Sequence, residues 1–151
     1  MRYVLVDRFL ELEPGRRAKS VKCVTRGEGF LAEEDDYPPT LILETILQTG
    51  GTVARLVAAP GTRTMLGKVE RATFPYPARP GDRILCEVKA ILSRPEGTMC
   101  HGVATVGDTV VGEAEFMIVY LPAALTPIES TEAREQRRLL WASLGIPWDG
   151  Q

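Results

Sequence analysis

Apolar positions recur with two different periods along this chain. From residue 3 to 25 they alternate. Val4, Val6 and Arg8 share one parity and Leu5, Asp7 and Phe9 the other, and alternation resumes from Ala18 to Cys23 after Glu13-Pro14-Gly15-Arg16. Proline and glycine inside that tetrad predict a turn, so a β-hairpin is expected; alone it would be marginal and must pack on something. Over residues 41–58 the spacing turns helical. Leu41, Ile42, Leu43, Ile46, Leu47, Val53, Leu56 and Val57 cover most of a helix circumference, the pattern of a helix that a sheet wraps. Prolines 38 and 39 suit a first helical turn, and Pro60-Gly61 a stop. Gly50-Gly51 in the middle is costly, about 1 kcal/mol per glycine. It predicts either a close approach of another group or a local irregularity.

Four strand-like runs follow, over residues 65–76, 83–93, 99–106 and 109–120, with turns at Arg79-Pro80-Gly81-Asp82 and Gly107-Asp108. Two strands, one long helix and four strands predict an α+β fold: one antiparallel sheet of about six strands curled around a buried helix. After Leu121-Pro122 the character changes. Residues 122–151 read as a tail whose short helix begins at Ser130 or Thr131, carries Leu139, Leu140, Trp141 and Leu144, and ends before Gly145 and Pro147. That helix either folds back on its own domain or docks a partner.

Composition narrows the functional classes. The 151 residues, 44% hydrophobic and 25% charged, match a single soluble domain, and a net charge of −2 gives no footprint for nucleic acid or anionic lipid. No apolar run is long enough to span a bilayer, and Asp7 falls where a signal peptide needs its apolar segment. Three cysteines without CxxC spacing fit a reducing, cytoplasmic setting. Cys100 and His101 are adjacent. On a strand they point to opposite faces, so they do not make a metal site.

The residues also resemble a known family. Leu5-Val6-Asp7-Arg8-Phe9-Leu10-Glu11-Leu12-Glu13-Pro14-Gly15-Arg16-Arg17-Ala18, Leu41-Ile42-Leu43-Glu44-Thr45-Ile46-Leu47-Gln48, Phe74-Pro75-Tyr76-Pro77-Ala78-Arg79-Pro80-Gly81-Asp82 and Gly112-Glu113-Ala114-Glu115-Phe116-Met117 are similar, in order and spacing, to segments of the 3-hydroxyacyl-[acyl-carrier-protein] dehydratases, FabZ/FabA-like enzymes of fatty-acid synthesis. The resemblance implies a hotdog fold over residues 1–121, an acyl thioester of carrier protein or coenzyme A as ligand, dimers or higher oligomers, and no cofactor or metal.

It further implies that Glu44 is the helix carboxylate, with Gln48 one turn later within hydrogen-bonding reach. In the family a loop histidine from the other protomer completes the acid–base pair, and a glycine N–H at the helix start polarises the thioester carbonyl. Counting back from Glu44, the histidine position holds Phe30 and the glycine position holds Pro39, which has no N–H to donate. Phe30, Tyr37, Pro39, Thr40, Leu41 and Phe74 are the expected substrate-binding residues. The bare pattern leaves another option for Glu44: with Thr45, Gln48, Thr52 and Arg55 it could form a solvated helix stripe.

Three functions follow from this mixture. The chain could bind acyl thioesters without ordinary dehydration, hydrolyse them with Glu44 as base or nucleophile and the Thr40 N–H as oxyanion donor, or supply Glu44 to a mixed dimer whose partner brings the histidine. The acidic loop Glu33-Glu34-Asp35-Asp36 is expected to be solvated, and Arg63, Lys68, Arg71, Arg79 and Arg94 to be ordinary surface charges.

Overall fold

The computed structural model describes residues 3–28, 36–122 and 131–147. Its elements are β1 (Arg8–Glu13), β2 (Arg17–Cys23), α1 (Pro39–Arg55), β3 (Arg63–Thr73), β4 (Arg83–Arg94), β5 (Gly97–Val106), β6 (Thr109–Leu121) and α2 (Thr131–Leu144). The six strands form one antiparallel sheet in the order β1-β2-β4-β5-β6-β3. Helix α1 lies across its concave face, packed on β2, β3, β4, β5 and β6. This is the expected hotdog arrangement.

Strand alternation builds the core. Ile84, Cys86 and Val88 of β4, Cys100 and Ala104 of β5, and Ala114, Phe116 and Ile118 of β6 face the helix and are buried. Ile42, Ile46 and Ala54 of α1 pack into them. The helix sits so low that side chains are missing where it touches the sheet. A Cβ on Gly102 would collide with Ile46, and one on Gly50 with the Phe116 ring. Close approach therefore explains the first glycine of the Gly50-Gly51 pair.

Three boundaries depart from the sequence pattern. Helix α1 ends at Arg55, not Ala58, because the chain tightens into i→i+3 turns, with Val57 N–H donating to Ala54 O and Ala58 N–H to Arg55 O. β3 stops at Thr73, leaving Phe74 to Tyr76 outside the sheet. β1 begins only at Arg8. Residues 3–7 run beside α1 instead, and Leu5 and Val6 are both buried despite their opposite parity.

The tail helix folds back. Leu144 and Ile146, with Leu140 and Trp141, join Val6, Phe9, Ala18 and Val53 in a second apolar cluster under the first hairpin. Gly145, at φ +76°, turns the chain at the helix end, where Ile146 N–H donates to Trp141 O. No helix among the described residues is long and apolar enough to cross a membrane.

Candidate functional site

The first three turns of α1 separate its polar residues by face. Thr45 and Thr49 are fully buried and satisfied within the fold. Thr45 Oγ1 donates to Leu41 O (2.8 Å), Thr49 Oγ1 donates to Thr45 O (2.8 Å), and the Ser20 hydroxyl meets Thr49 Oγ1 at 2.7 Å. Glu44 and Gln48 lie on another face and are half-buried. The stripe of Glu44, Thr45, Gln48, Thr52 and Arg55 is therefore not a solvated one.

Every hydrogen-bonding position of the Gln48 amide is used. Oε1 accepts from Leu5 N–H (2.9 Å) and Val6 N–H (3.5 Å), while Nε2 donates to Tyr3 O (3.1 Å) and Glu44 Oε1 (3.0 Å). One side chain thus replaces the strand ladder that residues 3–6 lack and fixes the carboxylate beside them. Across from Glu44 a groove opens between α1 and the edge strand. Glu44, Leu47 and Gly51 form one wall. Thr64, Met65 and Leu66 of β3 form the other, with Ile118 at the base, around a volume of about 180 Å³. Met65 and Leu66 are 49% and 43% exposed. Among the described residues β3 bonds only to β6, which leaves its outer edge open. An acid at the mouth of an apolar slot, held by an amide, suits proton transfer on a ligand whose remainder is apolar.

Three comparisons bear on this arrangement. No family model matches the chain. It is 33% identical over 122 residues to the 3-hydroxyacyl-[acyl-carrier-protein] dehydratase FabZ of Caldanaerobacter subterraneus subsp. tengcongensis, covering 78% of this chain and 86% of that one. It is 37% identical over 120 residues to the FabZ of Roseiflexus sp., covering 76% and 84%. The chain belongs to the FabZ family. Among solved structures, an acetyl-CoA-bound protein of Streptococcus mutans superposes with a TM-score of 0.68 at 13% identity, over 80% of this chain and 93% of that one. A hypothetical thioesterase of Streptococcus pneumoniae with coenzyme A gives 0.64 at 10% identity, over 76% and 84%. At those identities the likeness is one of hotdog fold.

Within this FabZ-family chain the expected site residues separate. Glu44 and Gln48 meet. Pro39 and Thr40 are exposed at the helix start, where Thr40 N–H has no intrahelical acceptor. Leu41 and Phe74 are partly buried against the main core rather than along the groove. Tyr37 is 1% exposed; its N–H donates to Ala78 O (2.6 Å), and burial pushes its hydroxyl well above the ordinary tyrosine range. Phe30 and Glu33-Glu34-Asp35 lie outside the described residues. Gly51, Met65 and Leu66 were not expected in the site. Only the unexplained glycine pair marked one of them, and the exposure of the other two depends on β3 ending the sheet.

The rest of the titratable inventory lies elsewhere. His101, the one histidine of the chain, sits on the convex face of β5 with Nε2 2.8 Å from Glu113 Oε1, on the opposite side of the sheet from α1. Its neighbour Cys100 faces the core. Desolvation pushes the Cys86 thiol up to about 12 and that of Cys100 to about 11, so neither is a nucleophile. Arg79 pairs with Asp36 (3.0 Å), Arg71 with Glu115 (3.3 Å) and Lys68 with Glu70 (2.8 Å).

Proposed function

We propose that this protein is a dehydratase-like acyl-thioester-binding protein that works as a dimer and does not, as a homo-oligomer, carry out ordinary 3-hydroxyacyl dehydration. The carrying observation is the separation of acid and imidazole. Glu44 is held ready at the groove, while the only histidine is bonded to Glu113 on the far face of the sheet. A second copy would bring another His101 in the same outward position. Phe30 at the family's histidine position cannot carry a proton, and Pro39 cannot donate to a carbonyl. Losing one preorganised donor typically costs about 3 kcal/mol of transition-state stabilisation.

Glu44 and Gln48 face the thioester in this proposal, with Thr40 N–H as the remaining donor at the helix start. Pro39 lies beside Thr40 at that end, and Tyr37, Leu41 and Phe74 support it from the core. The groove is smaller than the roughly 300–1,000 Å³ of complete ligand pockets. One chain thus carries half a site, and the open β3 edge is where a second chain completes it. Acyl carrier protein or coenzyme A supplies the thioester, and the free cysteines fit a cytoplasmic setting.

The same half-site favours one further possibility: a homologue that retains the loop histidine could pair along β3 and face Glu44. The test is hydration of crotonyl thioester and dehydration of 3-hydroxybutyryl thioester by the purified protein, alone and mixed with such a homologue. Binding without hydration by the protein alone is expected. Hydration at an ordinary enzymatic rate by the protein alone would overturn the proposal. Hydration that appears only in the mixture and vanishes with Glu44→Gln would establish the mixed dimer. Thioester cleavage lost in the same variant would point to a hydrolase instead.

A further inference from the structure

Gly50 and Gly51 are adjacent, yet the structure accounts for them differently. Gly50 faces inward, where the Phe116 ring leaves no room for a Cβ. Gly51 faces the groove, and a Cβ built on it meets no atom within 4 Å. It is not at a turn, and its φ is negative. Helix-interior glycine is unfavourable, and among the described residues nothing offsets it here. What its missing side chain leaves is space in the slot that begins at Glu44. The two residues are seven positions apart on one face of α1. At 1.5 Å per residue that is roughly 10 Å along the helix. The intervening groove residue is Leu47, and the opposite wall is Met65 and Leu66, all apolar.

We propose that Gly51 sets the length of acyl chain this protein accepts: with the thioester at Glu44, a straight acyl chain of medium length runs along α1 and passes over Gly51. This rests on the acyl-thioester role proposed above and adds the direction of the chain and the residue that limits it. A short acyl group ends before Gly51 and is indifferent to what stands there. A longer one needs the space that any side chain would fill. Each methylene kept out of an apolar slot weakens binding about fourfold, the equivalent of about 0.8 kcal/mol.

The test is calorimetric titration of butyryl- and octanoyl-CoA into the wild type, Gly51→Ala and Gly51→Leu, with sedimentation of each protein. The wild type is expected to bind octanoyl-CoA more tightly than butyryl-CoA. Gly51→Leu should keep the butyryl affinity and lose octanoyl affinity about tenfold or more. Gly51→Ala should shift the ratio in the same direction by less and raise the melting temperature, which keeps the test open should the leucine variant fail to fold. An octanoyl-to-butyryl ratio unchanged in the variants would overturn the inference while leaving acyl binding intact. Dissociation of the oligomer by Gly51→Ala would also overturn it, by placing Gly51 against a partner chain. A wild type that binds neither compound would instead defeat the proposed function itself.

Discussion

The two edges of the sheet are treated in opposite ways. At β1 the chain covers its own hairpin: Phe9 and Ala18 are buried under Leu144, Ile146, Leu140 and Trp141 of the tail. At β3 no described residue covers the edge, and Met65 and Leu66 stay about half exposed beside Glu44. An unpaired strand edge with apolar side chains beside it invites pairing with another chain. The contrast separates two tasks: the tail helix completes the fold, and the proposed function gives the bare edge to assembly and the site.

The largest effect separating the edges should come from the covered one. Leu144→Ala removes a buried side chain from the second cluster and should cost about 2–3 kcal/mol, seen in thermal unfolding as a drop of roughly 5–10 °C that does not depend on protein concentration. A shift below a degree would mean that α2 is not part of the fold. Next comes the bare edge. Met65→Asp should change the stability of one chain by no more than about 0.5 kcal/mol, yet weaken self-association by about tenfold or more, because it puts a charge where an apolar surface would be covered. Equilibrium sedimentation decides this, and unchanged association would move the interface elsewhere.

The smallest effect lies on the convex face, which belongs to neither edge. The His101 hydrogen bond holds the Glu113 carboxyl below its ordinary value of 4.5, and the charges of His101 and Arg71 act in the same direction. A depressed carboxyl contributes stability above its unfolded pKa and loses it as pH falls through the folded value. Stability should therefore decline slightly below about pH 4.5, and Glu113→Gln should flatten that decline in acid denaturation followed by circular dichroism. An unaltered acid limb would show that the pair contributes nothing.

Much of the architecture was legible because local pattern and global fold agree. The alternation of β4, β5 and β6 matches their buried faces, Gly107-Asp108 is the hairpin connection, and Cys100 and His101 divide between the faces of β5 as strand parity requires. What was not legible depended on distant partners. Leu5 and Val6 read as a strand, but their donors go to Gln48, more than forty positions away. Tyr37 read as a substrate contact by position and lies in the core, since its backbone pairs with Ala78. The pairing of Glu44 with Gln48 followed from helical spacing alone. That Met65 and Leu66 would face Glu44 did not, because spacing cannot say which strand ends a sheet.

The central claim is that Glu44 serves an acyl-thioester groove that has no imidazole of its own. Titration of crotonyl-CoA into the isotope-labelled protein, followed by amide NMR, tests it most directly. The account predicts shifts at Glu44, Leu47 and Met65, with the crotonyl signals persisting unhydrated. Conversion to the 3-hydroxyacyl compound, or shifts clustered around His101 with none beside Glu44, would contradict it.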